Sequence, residues 1–364
     1  MTDAVLLMIG TRKGLWLARS DPARETWSFD GPHFLMNEVI ACAVDQRDGK
    51  TRLLAGAMSN HFGPQVFRSD DGGATWDETA NGAIRFPEDT GAALEQVWQL
   101  TPGLESEPGV VYAGTQPSAL FRSTDRGETF EMVRSLWDHP HRKQWGAGYG
   151  GQAIHTILPG VTDPNAMTVA MSTGGVYQTE NGGQSWAPAN VGVKAYFLPD
   201  PWPEFGQCVH KVARNPNRPE RLYIQNHHGV YRTDDGGAHW TSIADGLPSD
   251  FGFPIAVDPH DPDSVYVFPL VADSERIPPG GKPRVWRSDD AGDTWTELSK
   301  GLPEDGFYAG VMRDALTIDG SDPTGVYFGS RDGSVFASKD RGESWALVTG
   351  HLPDVMCVRS AVLS

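Results

Sequence analysis

Four positions of this 364-residue chain share one place in an internal repeat, and three of them carry side chains that can do chemistry. Counting nine residues back from Pro164, Pro219, Pro262 and Pro323 reaches His155, His210, Phe253 and Asp314. The matching positions of two earlier repeats are Ile40 and Trp98. Two imidazoles and one carboxylate at a common level would suit a divalent metal such as zinc or non-haem iron with open positions. His155, His210 and Asp314 are therefore candidate metal ligands, although no HxH or HExxH spacing accompanies them. Without a metal the same groups would line a wet pocket, because an ionisable side chain costs free energy unless it meets water or a partner. Further polar residues fall at strand ends on the same side. They are Glu38 and Glu95 at the starts of first strands, His61 and His227 at the ends of second strands, and Arg12, Arg313 and Arg359 in the last and first repeats.

The elements that must position these residues are read from a recurrent turn. Arg68–Trp76 reads R-S-D-D-G-G-A-T-W, and the frame Ser/Thr-x-Asp/Asn-x-Gly-x-x-aromatic returns at Arg122–Phe130, Gln178–Trp186, Arg232–Trp240, Arg287–Trp295 and Ala337–Trp345. A worn copy, Arg19–Trp27, lacks the central Asp and Gly. The closing aromatics recur every 49 to 56 residues, a period that signals a solenoid or a propeller. In such a frame the Asp or Asn bonds to backbone N–H groups, Gly supplies a positive φ, and the aromatic folds back as a plug. Each repeat reads as four strands. The chain opens at a second strand (AVLLMIG) and ends in a first strand (VMCVRSAVL), so its two ends are expected to complete one blade together. The expected fold is an all-β, seven-bladed β-propeller over residues 1–364, with blade 1 composed of 1–36 and 353–364. Closure of this kind pairs the edges that an open sheet would expose.

The turn frame resembles that of the Asp-box, or BNR-repeat, β-propellers, and the resemblance covers nearly the whole chain. That group includes sialidases, xyloglucanase-type glycoside hydrolases, sortilin-like receptors and a photosystem assembly factor. The resemblance implies that the boxes are structural and lie on one face, with any site on the opposite face. It also implies a possible glycoside hydrolysis, which needs two carboxylates roughly 5–10 Å apart, and Glu38, Glu95 and Asp314 are the candidates. Sialidases bind the substrate carboxylate with three arginines, which Arg12, Arg313 and Arg359 could imitate. No Tyr–Glu nucleophile pair can be assigned, the Arg-Ile-Pro at Arg276–Pro278 lies in a late loop, and the repeats number seven rather than six. Xyloglucanase-type enzymes use two seven-bladed propellers across a cleft, whereas these repeats make one. The third reading is a propeller that binds a small molecule, a carbohydrate or a protein without chemistry.

Three long connectors serve blades 4 to 6: Glu131–Gly151, Pro188–Gln207 and Leu270–Arg284. Their aromatics, Trp137, Trp145, Tyr149, Tyr196, Phe197, Trp202 and Phe205, are expected either to anchor the loops or to form a one-sided lid, with Trp145 and Trp202 as ligand contacts. The formal net charge of −17 argues against nucleic-acid or anionic-membrane partners. No signal peptide or membrane span is read at the N-terminus, so a cytoplasmic location is expected. The three cysteines, Cys42, Cys208 and Cys357, are expected to be reduced, small core residues.

Overall fold

The computed structural model describes residues 4–78, 82–148 and 151–363. Their strands build seven four-stranded antiparallel sheets arranged as the blades of a propeller. The innermost strands, in blade order, are Val355–Leu363, Glu38–Asp45, Gln96–Pro102, Ile154–Pro159, Val209–Arg214, Phe251–Val257 and Leu316–Ile318. Blade 1 is composite as expected. Its strand order is Val355–Leu363, Ala4–Thr11, Gly14–Ser20 and Trp27–His33, and the seam pairs Ala4 with Leu363 through to Thr11 with Val355.

The apolar residues of each sheet are buried against the next sheet, so the core is divided among the seams. Seven buried clusters occur among the described residues, one in each interface between neighbouring blades. The cluster closing the ring joins Val5, Leu7 and Ile9 of blade 1 to Tyr327 and Val335 of blade 7. Four second strands, Met167–Met171, Leu222–Asn226, Val265–Leu270 and Val326–Gly329, are buried from end to end, because both of their faces meet a neighbouring sheet.

The repeated turn is a hydrogen-bonded staple. In blade 2 the Ser69 hydroxyl donates to Asp71 Oδ1 at 2.8 Å and accepts from the Gly73 N–H at 2.8 Å, while the Thr75 N–H donates to Asp71 Oδ1 at 2.9 Å. The same bonds recur at Ser123–Asp125, Thr233–Asp235, Ser288–Asp290 and Ser338–Asp340. In blades 5 and 6 the plug also ties the turn to the blade before it: Trp240 Nε1 donates to Ala189 O at 2.9 Å and Trp295 Nε1 to Ile243 O at 2.8 Å. Gly73 has φ +97°, and a Cβ there would overlap Leu17 of blade 1. Close approach between blades therefore requires this glycine.

Each innermost strand runs towards the face that carries these turns, since the turns join the third and fourth strands of antiparallel blades. The starts of the innermost strands and the ends of the second strands lie on the opposite face, called the open face below.

Candidate functional site

A β-bulge sits near the start of six of the seven innermost strands. Pairing with the neighbouring strand skips Ile40, Trp98, His155, His210, the Phe253–Pro254 pair and Met356. A bulged residue leaves the ladder and its side chain is redirected. Ile40, Trp98, His210, Phe253 and Met356, joined by Arg313 from the segment before the blade 7 strand, line a cavity of about 520 Å3 on the open face. That volume falls in the range of small-ligand sites. The repeat position read from the sequence thus corresponds to the bulge in blades 2 to 6. In blade 7 the cavity residue is Arg313, one position before Asp314, which lies nine residues back from Pro323.

Arg313 is the least compensated charge of this cavity. It is buried at 8% exposure, and its Nε finds no hydrogen-bond partner among the described residues. Its Nη2 reaches Ser172 Oγ at 3.4 Å, and the guanidinium lies 5.2 Å from the Phe253 ring centre and 5.6 Å from that of Trp98. Burial pulls its pKa down from the ordinary arginine value. Arg12, Arg276 and Arg331 also line the cavity, against the carboxylates Glu38 and Asp273. At the rim Arg331 Nη2 bonds Asp354 Oδ2 at 2.7 Å, and Arg12 Nε lies 3.3 Å from the same oxygen and 4.0 Å from Glu38 Oε1.

On the wall of the cavity, donor atoms of Cys208, His210 and His227 all lie within 4.8 Å of one another. His210 Nδ1 donates to Gly252 O at 2.5 Å, which leaves Nε2 as the basic nitrogen. Burial, with Arg313 close by, holds the His210 pKa well below its usual value, so the ring is neutral. Burial raises the Cys208 thiol. Cys208 is therefore a cavity residue as well as a small buried one. The signals for this cluster were the Cys-x-His at 208–210 and the adjacent His pair at 227–228.

The expected metal trio of His155, His210 and Asp314 does not assemble. The group above is the one set of three such donors brought together among the described residues. Asp314 turns away from the cavity and is neutralised. Its Oδ1 accepts from Lys211 Nζ at 2.6 Å and from Arg359 Nη2. Burial would raise its pKa, but Arg359 and Lys211 outweigh that and lower it to about 2. Lys211 and Arg359 line a second cavity of about 540 Å3 at the turn-face end of the axis. Arg359 therefore cannot join Arg12 and Arg313 in one arginine triad. His155 is fully buried with no partner for Nε2 among the described residues, and burial, Arg313 and Lys211 hold its pKa well below the usual value.

The remaining candidates spread over the open face. Glu38 and His227 line the cavity. Glu95 is exposed and accepts from Gln116 Nε2 at 2.8 Å, and Gln116 Oε1 accepts from Trp98 Nε1 at 3.1 Å. His61 is exposed beside Phe62, away from the cavity lining.

The connector aromatics divide into two groups. Trp137 packs on Phe86 beneath Arg142, Trp145 is buried with Nε1 donating to the Tyr177 hydroxyl at 3.0 Å, and Phe205 stacks on His141. These three are anchors, Trp145 included. Phe197 lines the cavity, while Tyr196 and Trp202 flank Lys194 and are 56% and 52% exposed. Tyr149 lies outside the described residues. Leu35, Met36, Phe62 and Tyr308 add further exposed apolar side chains to connectors of this face. The third connector places Asp273 and Arg276 in the cavity wall.

No known family profile matches the chain. It is 25% identical over 266 residues to a xyloglucanase of Paenibacillus sp, covering 61% of this chain and 24% of that protein. It is 24% identical over 268 residues to xyloglucanase Xgh74A of Acetivibrio thermocellus, covering 64% of this chain and 29% of that one. The chain thus spans about a quarter of the length of the curated relatives it matches. Among solved structures, the Niastella koreensis GH74 enzyme superposes with a TM-score of 0.55 at 17% identity, over 85% of this chain and 45% of that one. An ancestral GH74 enzyme superposes with a TM-score of 0.56 at 16% identity, over 86% and 38%. The chain is a seven-bladed β-propeller similar to the propellers of these glycoside hydrolases.

Proposed function

We propose that the open-face cavity binds a small ligand through a negatively charged group, a carboxylate or similar anion, with Arg313 as its anchor. The observation that carries this reading is the Arg313 guanidinium, buried in the wall of a 520 Å3 cavity with no ion pair among the described residues and an Nε without a hydrogen-bond partner there. A buried charge left unpaired costs several kcal/mol, and an anion arriving there offsets that cost. Its fork of N–H donors suits the planar, two-oxygen geometry of a carboxylate. Arg12, Arg276 and Arg331 add to the positive field at the mouth. Trp98, Phe253 and Phe197 offer flat apolar walls to the rest of the ligand, which suits a ring-bearing molecule such as a sugar acid. Calorimetric titration of metal-stripped protein with a panel of uronic, aldonic and dicarboxylic acids tests this. At least one member should bind the wild type and bind Arg313→Gln at least tenfold more weakly. Equal binding by both proteins, or no binding across the panel, overturns it.

A second reading, glycoside hydrolysis, is favoured by the similarity to xyloglucanases and by one pair of carboxylates. Glu38 Oε1 and Asp354 Oδ2 lie 4.0 and 3.3 Å from the shared Arg12 Nε, which caps their separation at about 7 Å, compatible with the roughly 5–10 Å such enzymes use. Asp314 is not part of this pair, because Lys211 and Arg359 hold it. Turnover of aryl glycosides or xyloglucan oligosaccharides that disappears in Glu38→Gln and Asp354→Asn supports hydrolysis. Turnover that survives both substitutions removes the pair from it.

A further inference from the structure

We propose that Cys208, His210 and His227 form a binding site for a thiophilic divalent metal, with zinc the ion that the donor set fits. One thiolate and two imidazoles make three ligands of the set that catalytic zinc sites use, leaving a fourth position open. Their donor atoms already lie within 4.8 Å of one another. Around a tetrahedral zinc, with bonds of about 2.0–2.3 Å, neighbouring ligand atoms stand roughly 3.3–3.8 Å apart. The closure needed is about 1 Å, within the reach of side-chain rotation at half-buried His227.

The backbone prepares this arrangement. Cys208 precedes the innermost strand of blade 5, and His210, two residues on, is its bulged residue. His227 follows the second strand, Leu222–Asn226, and its N–H donates to Cys208 O at 2.9 Å. That bond holds two of the three donors in register across the blade. The bond from His210 Nδ1 to Gly252 O performs the outer-sphere task common among metal-bound histidines. It fixes the ring and presents Nε2 as a lone pair. Asp273 brings a carboxylate to 3.6 Å from His227 Nε2. From there it supports a cation, by orienting the imidazole or by adding an oxygen ligand.

Arg313 and Arg276 stand near enough to act on the Cys208 thiol, and their charges oppose a cation. The Cys208 thiolate and the Asp273 carboxylate offset them. Metal uptake transfers the Cys208 proton to solvent and leaves the sulfur as thiolate on the ion. The result is a centre with surplus positive charge facing the cavity, suited to an anionic fourth ligand. The site shares the cavity of the anion reading but does not rest on it, because the three protein donors bind an ion whether or not a carboxylate follows.

Cobalt(II) titration of the full chain, stripped of metal and kept in a non-coordinating buffer without carboxylates, tests the site. One equivalent of cobalt should produce the near-ultraviolet sulfur-to-metal charge-transfer absorption and the strong visible bands of tetrahedral geometry, and zinc should abolish both. Cys208→Ser should lose the charge-transfer band. His227→Ala, checked for unchanged thermal unfolding, should bind cobalt at least tenfold more weakly, and Asp273→Asn about tenfold or more. Absence of the band from wild type, its persistence in Cys208→Ser, or an unchanged affinity in folded His227→Ala overturns the proposal. The anion titration is run on stripped protein, so either result can fail alone.

Discussion

Arg313 and Asp314 are neighbours in the chain and serve opposite ends of the propeller axis. Arg313 lines the open-face cavity, whereas Asp314 binds Lys211 and Arg359, which line the turn-face cavity. One residue step thus divides a cation with no ion pair among the described residues from a doubly paired anion.

Asp314→Asn should be strongly destabilising. It would leave the partly buried Lys211 and Arg359 beside each other without their shared counter-ion, and the cost of breaking a fully buried group of this kind, about 3–5 kcal/mol, is the upper bound here. Chemical denaturation should show this loss. A midpoint within experimental error of wild type would mean that the three charges do not act as a unit.

The same carboxylate sets an acid limit. Its folded pKa is depressed to about 2 from an ordinary 3.8. A depressed carboxylate contributes stability that is fully present above its unfolded value and is lost as pH falls through its folded one. The contribution of Asp314 should therefore persist at pH 5, decline below about 4 and be largely gone near 2. Unfolding free energies of wild type and Asp314→Asn across that interval should converge as pH falls, and parallel curves would contradict the assignment.

Arg313→Met should affect ligand binding and stability in opposite directions. The guanidinium is buried with an unsatisfied Nε, so an apolar side chain of similar reach removes a desolvation cost. The expected change in unfolding free energy is between zero and a gain of about 1 kcal/mol, alongside loss of anion binding. A loss of more than about 2 kcal/mol would show that Arg313 supports the fold through Trp98 and Phe253.

The staples give a graded test. Ser69→Ala removes the acceptor of the buried Gly73 N–H and should cost about 1–3 kcal/mol. Gly73→Ala should cost as much or more, because it adds strain at φ +97° to a clash with Leu17. Both changes are at the turn face, so cobalt binding in the surviving folded protein should be unaltered. Altered cobalt affinity would show that the two faces are coupled.

Thiol labelling separates the three cysteines. Cys42 and Cys357 lie 3.5 Å apart in the seam between blades 1 and 2, where the Cys357 contact and burial push the Cys42 pKa well above its usual value. Cys208 opens onto the cavity. A small alkylating reagent should modify Cys208 first, and zinc should protect it. Peptide mapping that finds Cys42 modified first would contradict this order.

The blade count, the composite blade and the staples were legible because they depend on local spacing: Ser69, Asp71, Gly73 and Trp76 recur as a unit. The ring position was legible for the same reason, down to the bulges at Trp98 and His210. Its failure at blade 7 is also physical. The strand there is short, Leu316–Ile318, and begins two residues after Asp314, so the counted position falls outside the ladder. What spacing does not carry is charge pairing between distant blades. Lys211 and Asp314 are 103 residues apart, and nothing local announces that each neutralises the other. The Cys208–His227 proximity depends on one backbone bond across a blade, which residue types alone do not report.

The composite blade has a consequence for occupancy. Met356 and Arg12, from the two segments that meet at the seam, both line the open-face cavity, so the binding site exists only in the closed ring. Whatever binds there is thermodynamically linked to the zipper between Ala4–Thr11 and Val355–Leu363. A bound ligand slows opening of that zipper, and an open ring does not retain the ligand. Amide hydrogen exchange along this strand pair therefore serves as an occupancy gauge for a cavity that none of those backbone amides has to touch.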